Sequence, residues 1–160
     1  MIRMKRFRDR PGFTLVELLV VVAIMAVIAT VGFLGLANYR SGKNLDFTIN
    51  EIAAALRATQ ERAITQENGK AWGIRFTNST SGVQSYTVFS GTVFAPSGVD
   101  KTYGLRRGTR FTDPVASSTK DLFFQAISGK PSAYFSITLK GDTTQIKNII
   151  VATSGVISIQ

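Results

Sequence analysis

The strongest constraint on this chain is an apolar run that begins directly behind a basic block. From Leu18 to Ala37 no side chain carries a charge, and Thr30 is the only clearly polar one. A helix rises 1.5 Å per residue, so about 20 apolar residues can cross a bilayer core of roughly 30 Å. The run therefore predicts a membrane-spanning helix.

The charges that precede the run predict its orientation. One acidic residue stands among five basic ones, namely Asp9 among Arg3, Lys5, Arg6, Arg8 and Arg10. Basic residues next to a span hold that end in the cytoplasm. We therefore expect the chain after Tyr39 to lie outside the cytoplasm.

Two details distinguish this segment from an ordinary signal or anchor. A secretory signal is cut after its apolar region, at a site of small residues, and Ala29-Thr30-Val31 mimics such a site only weakly. Gly12 instead lies before the apolar region. Glu17 places a carboxylate beside the span, at a cost of a few kcal/mol on insertion scales, and such residues usually mark function.

The junction between the basic block and the apolar run resembles the processing site of type IV prepilins and type II secretion pseudopilins. It reads Gly12-Phe13-Thr14-Leu15-Val16-Glu17-Leu18-Leu19. The resemblance implies cleavage between Gly12 and Phe13 by prepilin peptidase on the cytoplasmic side, and N-methylation of the new amino terminus at Phe13. It also implies an assembly role for Glu17, which matches the acidic residue at the fifth mature position of the family. That residue is thought to meet the amino terminus of an adjacent subunit.

The spacing of Phe13 and Glu17 agrees with this role. Residues four apart share one helix face. An amine and a carboxylate in lipid need partners, either each other or groups of a neighbouring subunit. The alternative is that Glu17 snorkels to the cytoplasmic interface, because it lies within one turn of the helix end.

Composition narrows the chemistry that the chain can perform. The leader, residues 1–12, carries +4 of the formal +9 charge, and the remaining +5 is not by itself a signature of nucleic-acid binding. The chain has no Cys and no His, so it lacks thiol nucleophiles, thiolate metal sites and the commonest general base. We expect no enzymatic activity, no metal and no cofactor.

The helix is predicted to continue beyond the span, to near Glu67. Apolar residues recur at helical spacing, with one skipped turn near Thr59; they are Leu45, Ile49, Ile52, Leu56 and Ala63. Asn68-Gly69 is a plausible stop. We expect this stripe to pack against the domain that follows, with coiled-coil pairing as the alternative.

From Ala71 the pattern changes to short β-rich runs between turn signals. The predicted strands are 71–77, 83–90, 103–107, 110–112, 122–126, 134–140, 145–152 and 156–159, with 91–101 and 113–120 as loops. These strands predict an antiparallel meander, a β-sheet or small β-sandwich covered by the stripe. The fold class is α+β, with a leader (1–12), a transmembrane and assembly helix (13–39), an amphipathic helix (40–69) and a β-rich domain (70–160).

The β-rich part carries a second resemblance, to the GspH/FimT-type minor pseudopilins. Its units are Phe123-Phe124, Gly129-Lys130-Pro131-Ser132, Ile137-Thr138-Leu139, Ile149-Ile150-Val151 and Gly155-Val156-Ile157. Some members of that family that bind DNA carry arginines after the final glycine turn. None follows Gly155 here, which makes nucleic acid an unlikely partner.

The densest charge cluster outside the leader is Arg106, Arg107 and Arg110, around Gly108. It could hold phosphates or an acidic neighbour, or it could be a solvated turn. Ser128-Gly129-Lys130-Pro131-Ser132 lacks Walker spacing and is interpreted as a turn. The formal sequon at Asn78 is interpreted as a turn as well, and the aspartates form no recognised calcium loop.

These observations together predict a minor pilin or pseudopilin subunit of a type II secretion pseudopilus or type IV pilus. Its expected partners are other subunits, prepilin peptidase and the inner-membrane assembly platform. Its expected location is the inner membrane, crossed once, with the amino terminus cytoplasmic and the domain periplasmic or extracellular. A DNA-binding minor pilin and a major pilin are the alternatives.

Overall fold

The computed structural model describes residues 13–142 and 144–160. The predicted leader, including Gly12, lies outside the described residues. The chain divides into two compact units, 1–37 and 38–160, which are considered separately.

Helix α1, Leu15–Ile64, contains 50 residues, so the predicted long helix is confirmed with its ends two or three residues inside the predicted ones. It ends where left-handed residues begin, at Gln66, Asn68 and Gly69, close to the predicted stop. A short 3-10 turn, Glu67–Gly69, leads into the β-rich part.

In the first unit the described side chains, 13–30, are all exposed. Thr30, the polar residue in the apolar run, donates its hydroxyl proton to the carbonyl oxygen of Ala26 at 2.8 Å. No helix within the described residues is long and apolar enough to cross a membrane. The predicted span, 18–37, includes residues 31–37, whose side chains lie outside the described set.

In the part of the second unit that the structure describes, there are eight strands in two antiparallel sheets of four. The strands are β1 (Trp72–Asn78), β2 (Ser85–Ser90), β3 (Val99–Gly104), β4 (Thr109–Asp113), β5 (Ser118–Phe124), β6 (Phe135–Gly141), β7 (Ile146–Val151) and β8 (Ile157–Ile159). The first sheet has the order β3-β2-β1-β5, and the second has the order β4-β6-β7-β8. The α+β class is therefore confirmed.

The predicted simple meander is wrong, because β4 and β5 belong to opposite sheets. Strand β4 pairs with β6, and β5 returns to pair with β1. Asn78 stabilises this exchange from inside the domain. Its side-chain amide donates to the carbonyl oxygens of Phe111 (3.2 Å) and Pro114 (2.7 Å), on either side of the β4 end. Because Asn78 is only 3% exposed, the sequon at this position is structural.

Two strand boundaries also differ from the prediction. The strand expected at 103–107 is β3, Val99–Gly104, because Arg106 to Thr109 form a turn in which the amide of Thr109 donates to Arg106 O at 3.1 Å. The loop expected at 113–120 is partly strand, because Ser118 to Lys120 pair with β1. Strand β5 lies at the sheet edge, and only its second half reaches the core, so its first half does not show the apolar alternation of a strand.

One hydrophobic core joins the helix to both sheets. The predicted stripe of α1 is fully buried: Leu45, Ile49, Ile52, Leu56 and Ala63 are each at most 1% exposed. Phe76 of β1 connects the sheets, since its ring lies 5.9 Å from that of Phe111 and 5.6 Å from that of Phe135. The stripe therefore packs against its own domain, as predicted.

The stripe provides a test of this packing in a fragment of residues 41–160. We expect the fragment to fold, and we expect Ile52→Ala combined with Leu56→Ala to unfold it or lower its Tm strongly. Each truncation of a buried aliphatic side chain costs about 2–5 kcal/mol, against a total stability of about 5–15 kcal/mol. Thermal unfolding followed by circular dichroism measures the change, with the exposed Arg57→Ala as the control. An unchanged Tm in the double variant would contradict the packing described.

Candidate processing and assembly site

The helix begins with a reciprocal pair of hydrogen bonds between Thr14 and Glu17. The hydroxyl oxygen of Thr14 accepts from the amide of Glu17 at 3.2 Å. The Glu17 carboxylate accepts in return from the amide of Thr14 at 3.0 Å and from its hydroxyl at 3.1 Å. This is a capping box, which satisfies amide groups that the first turn of a helix leaves without partners.

The capping box was not predicted, although the sequence carries its signal. A threonine followed three residues later by a glutamate, just before an apolar run, is the usual pattern. Thr14 precedes the first helical residue, Leu15, and Glu17 is the third residue of the helix. Glu17 therefore has a local structural role in addition to any role between subunits.

The predicted pairing of Phe13 with Glu17 concerns a group that exists only after cleavage. In the uncut chain the nitrogen of Phe13 is part of a peptide bond to Gly12. Phe13 itself is 83% exposed, so its surroundings are open. Both recorded bonds to the carboxylate of Glu17 use Oε2, and within the described residues none is recorded to Oε1. The carboxylate thus retains one oxygen that can accept from a further cation.

The surface next to this site is apolar. A shallow depression of about 430 Å³ runs along one face of the helix and is lined by Leu15, Leu18, Leu19, Val22, Ala23 and Ala26. Among the described side chains none that is polar lines it, so this face can pack against lipid or against another apolar helix. A charged residue at the end of such a face requires an opposite charge or access to water.

Of the three predicted arginines, Arg106 has a carboxylate partner in its own chain. Arg106 turns toward α1 and forms a two-pronged ion pair with Glu51, in which Nε lies 3.1 Å from Oε2. These hydrogen bonds lower the pKa of the Glu51 carboxyl below its ordinary value. Arg106 therefore has an acidic neighbour in its own chain, which was one of the interpretations left open by the sequence.

Arg107 and Arg110 are exposed. Gly108 makes the turn possible, since its φ of +79° favours glycine and a Cβ there would overlap the carboxylate of Asp142. Arg110 of β4 lies directly opposite Lys140 of β6. This like-charged cross-strand pair is a basic feature that the sequence did not reveal, because its members are 30 residues apart.

Comparison with known proteins agrees with the first site. Residues 7–33 match the model of the prokaryotic N-terminal methylation motif, a stretch that includes Gly12, Phe13, Thr14 and Glu17. No curated protein and no solved structure matches the chain. The chain thus carries the N-terminal methylation motif of type IV pilin-like precursors.

Proposed function

We propose that the chain is a minor pilin or pseudopilin of the GspH/FimT type. Prepilin peptidase cuts it between Gly12 and Phe13, the new amino terminus is methylated, and the mature subunit enters a type II secretion pseudopilus or a type IV pilus. The methylation motif over residues 7–33 carries this proposal. It stands at the start of a capped, apolar, exposed helix whose second half belongs to an α+β domain.

The charge distribution supports a single-pass topology in the inner membrane. The basic residues of the leader remain in the cytoplasm, residues 13–39 anchor the subunit, and the β-rich domain lies on the other side. Before assembly, the exposed apolar side chains of 15–30 would be surrounded by lipid. In the filament they would pack against the corresponding helices of other subunits.

The assignment to the GspH/FimT branch rests on the order of motifs in the β-rich domain, and a major pilin is the alternative. We also propose that the subunit has no enzymatic activity. The chain lacks His and Cys. Among the described residues six carboxylates are engaged by cations, one of them Glu67, which lies 3.4 Å from Arg62. The other pairs are Asp46 with Lys147, Glu51 with Arg106, Asp100 with Arg62, Asp113 with Lys120, and Asp121 with Arg75.

Processing is tested by the mass of the mature amino terminus. We expect the protein from its native host to begin at Phe13 and to carry one added methyl group. The peptidase must accept a small residue before the cut, so Gly12→Val should accumulate as uncut precursor in the membrane. Gly12→Ala is the matched control with a smaller change. Recovery of wild-type protein with its leader intact would contradict the proposal.

Glu17 is tested with two variants that separate its charge from its capping role. Glutamine can replace glutamate in a capping box, so Glu17→Gln keeps the hydrogen bonds at the helix start and loses the charge. Glu17→Leu loses both. If Glu17 accepts the amine of Phe13 from a neighbouring subunit, both variants should be processed and inserted normally but enter filaments poorly, because a charge left without its partner is costly.

The measurement for Glu17 is the ratio of membrane-held protein to sheared or crosslinked filament protein. Thr14→Ala is the control, since it breaks the capping box and keeps the carboxylate. Wild-type ratios for Glu17→Gln, with losses only for Glu17→Leu and Thr14→Ala, would mean that Glu17 acts through the cap alone.

DNA binding is a second candidate function, favoured by the exposed cations Arg107 and Arg110 and by the half-buried Lys140. We expect weak, non-specific binding of duplex DNA at most, with a log–log salt slope of about −2 to −3 for three phosphate contacts. Arg107→Ala with Arg110→Ala should flatten this slope, whereas Lys70→Ala, away from the β4–β6 face, should change it less. Tight binding at physiological salt that Arg107→Ala abolishes would favour DNA uptake over a purely structural subunit.

A further inference from the structure

We infer that a groove between strand β3 and the middle of helix α1 binds an extended polypeptide segment of a partner protein. The segment adds to the free edge of the first sheet beside β3, and it carries an acidic side chain that meets Lys101. This inference goes beyond the proposed assembly function, because it concerns the domain surface and not the processed amino terminus.

The groove lies entirely within the second unit and has a volume of about 740 Å³. One wall is the α1 surface around Ala54, Ala55 and Ala58, and the other is formed by Thr102, Tyr103 and Gly104 of β3. Tyr86 of β2 forms part of the lining, with its ring stacked on that of Tyr103 at a centroid distance of 5.0 Å. Three alanines in succession along the wall leave the space that larger side chains would fill.

Two ion pairs fix the width of the groove at its ends. At one end Arg62 of α1 donates to the carboxylate of Asp100 at 2.7 Å. At the other end Arg106, which follows β3, pairs with Glu51 of α1. Strand β3 has a bulge at Asp100. Lys101 pairs with Val88 and Val99 pairs with Phe89, so Asp100 is an extra residue between them. Such bulges redirect a side chain. The helix and the strand are thus joined at both ends but not packed together between them.

The free edge of β3 specifies a polypeptide as the occupant. Within the described residues, strand β3 is the outermost strand of its sheet and no other strand pairs with its outer edge. The amide of Leu105 donates to Gln84 O, and hydrogen-bonded pairs alternate along an antiparallel ladder. Thr102 and Gly104 are therefore in the non-bonded pairs, and their backbone N–H and C=O groups point away from β2. Only another backbone offers donors and acceptors at the matching spacing.

A charge beside the groove indicates one side chain of the segment, since Lys101 lies over Tyr103, which lines the groove. Lys101 is exposed, and its ammonium lies 5.0 Å from the centre of the Tyr103 ring. Among the described residues no carboxylate pairs with Lys101, whereas the carboxylates nearest the groove ends, Glu51 and Asp100, are already engaged by arginines. An acidic side chain suits this position, and small apolar side chains suit the alanine wall.

The test uses the full chain in detergent micelles and a synthetic peptide that alternates threonine and valine around one glutamate. Amide hydrogen exchange is expected to slow at Thr102 and Gly104 when the peptide is added. Thr102→Pro removes an N–H that points outward and makes no bond to β2. An edge strand tolerates proline at such a position. Thr102→Pro should weaken peptide binding by about tenfold, whereas Thr102→Ala, which keeps the N–H, should bind about as tightly as wild type.

Two further measurements make the outcome decisive. Ala58→Leu narrows the groove without changing β3 and should also weaken binding, which covers the case in which Thr102→Pro does not fold. A peptide N-methylated at every amide should not bind, because it has no N–H to donate to β3. Equal binding of the N-methylated peptide, equal affinities of the two Thr102 variants, or no binding at all would overturn the inference. Protection of Thr102 and Gly104 without peptide, in a self-associating protein, would overturn it in favour of a second copy of this chain.

Discussion

The domain depends on the burial of one face of α1, from Leu45 to Ala63, because this face supplies a common surface for both sheets. Two threonines lie within the same buried face. Thr48 and Thr59 donate their hydroxyl protons to carbonyl oxygens one turn earlier, Asn44 O at 2.8 Å and Ala55 O at 2.7 Å. A buried hydroxyl that is hydrogen-bonded within its own helix leaves no unsatisfied donor, so the apolar surface continues past both residues.

Polar contacts around this buried face set how the helix and the strands are aligned. Asp46 pairs with Lys147 of β7, and Gln60 donates to the carbonyl oxygens of Gly129 (2.8 Å) and Gly155 (2.9 Å), in two turns. The ion pair is about a third exposed, so it contributes little to stability by itself. The ion pair contributes instead to the alignment of helix and strand. Hydrogen bonds require a specific geometry and therefore favour one alignment over nearby ones, whereas apolar contacts tolerate small shifts.

The parts of the fold that follow from local periodicity could be predicted, and those that depend on distant partners could not. The stripe of α1 and the alternation of Trp72, Ile74 and Phe76 in β1 are visible in short windows of sequence. The exchange of β4 and β5 between sheets is not, because it depends on contacts of Asn78 with backbone more than 30 residues away. The predicted stripe skipped a turn near Thr59 because this residue is polar. Its hydrogen bond to the carbonyl oxygen of Ala55, which lets it lie in the buried face, has no sequence signal of its own.

The same distinction applies to the candidate sites. Gly12 to Glu17 could be recognised because the motif is contiguous. The alternatives for the arginine cluster could not be decided from the sequence, because the partner of Arg106 is Glu51, 55 residues earlier. The contiguous site has one further property. Cleavage before Phe13 leaves the amide and hydroxyl of Thr14 intact, so the capping box can persist in the mature chain. If Glu17 accepts a neighbouring amine as we propose, its carboxylate is already oriented through Oε2 when that amine approaches Oε1, and the ion pair would form with less loss of side-chain entropy.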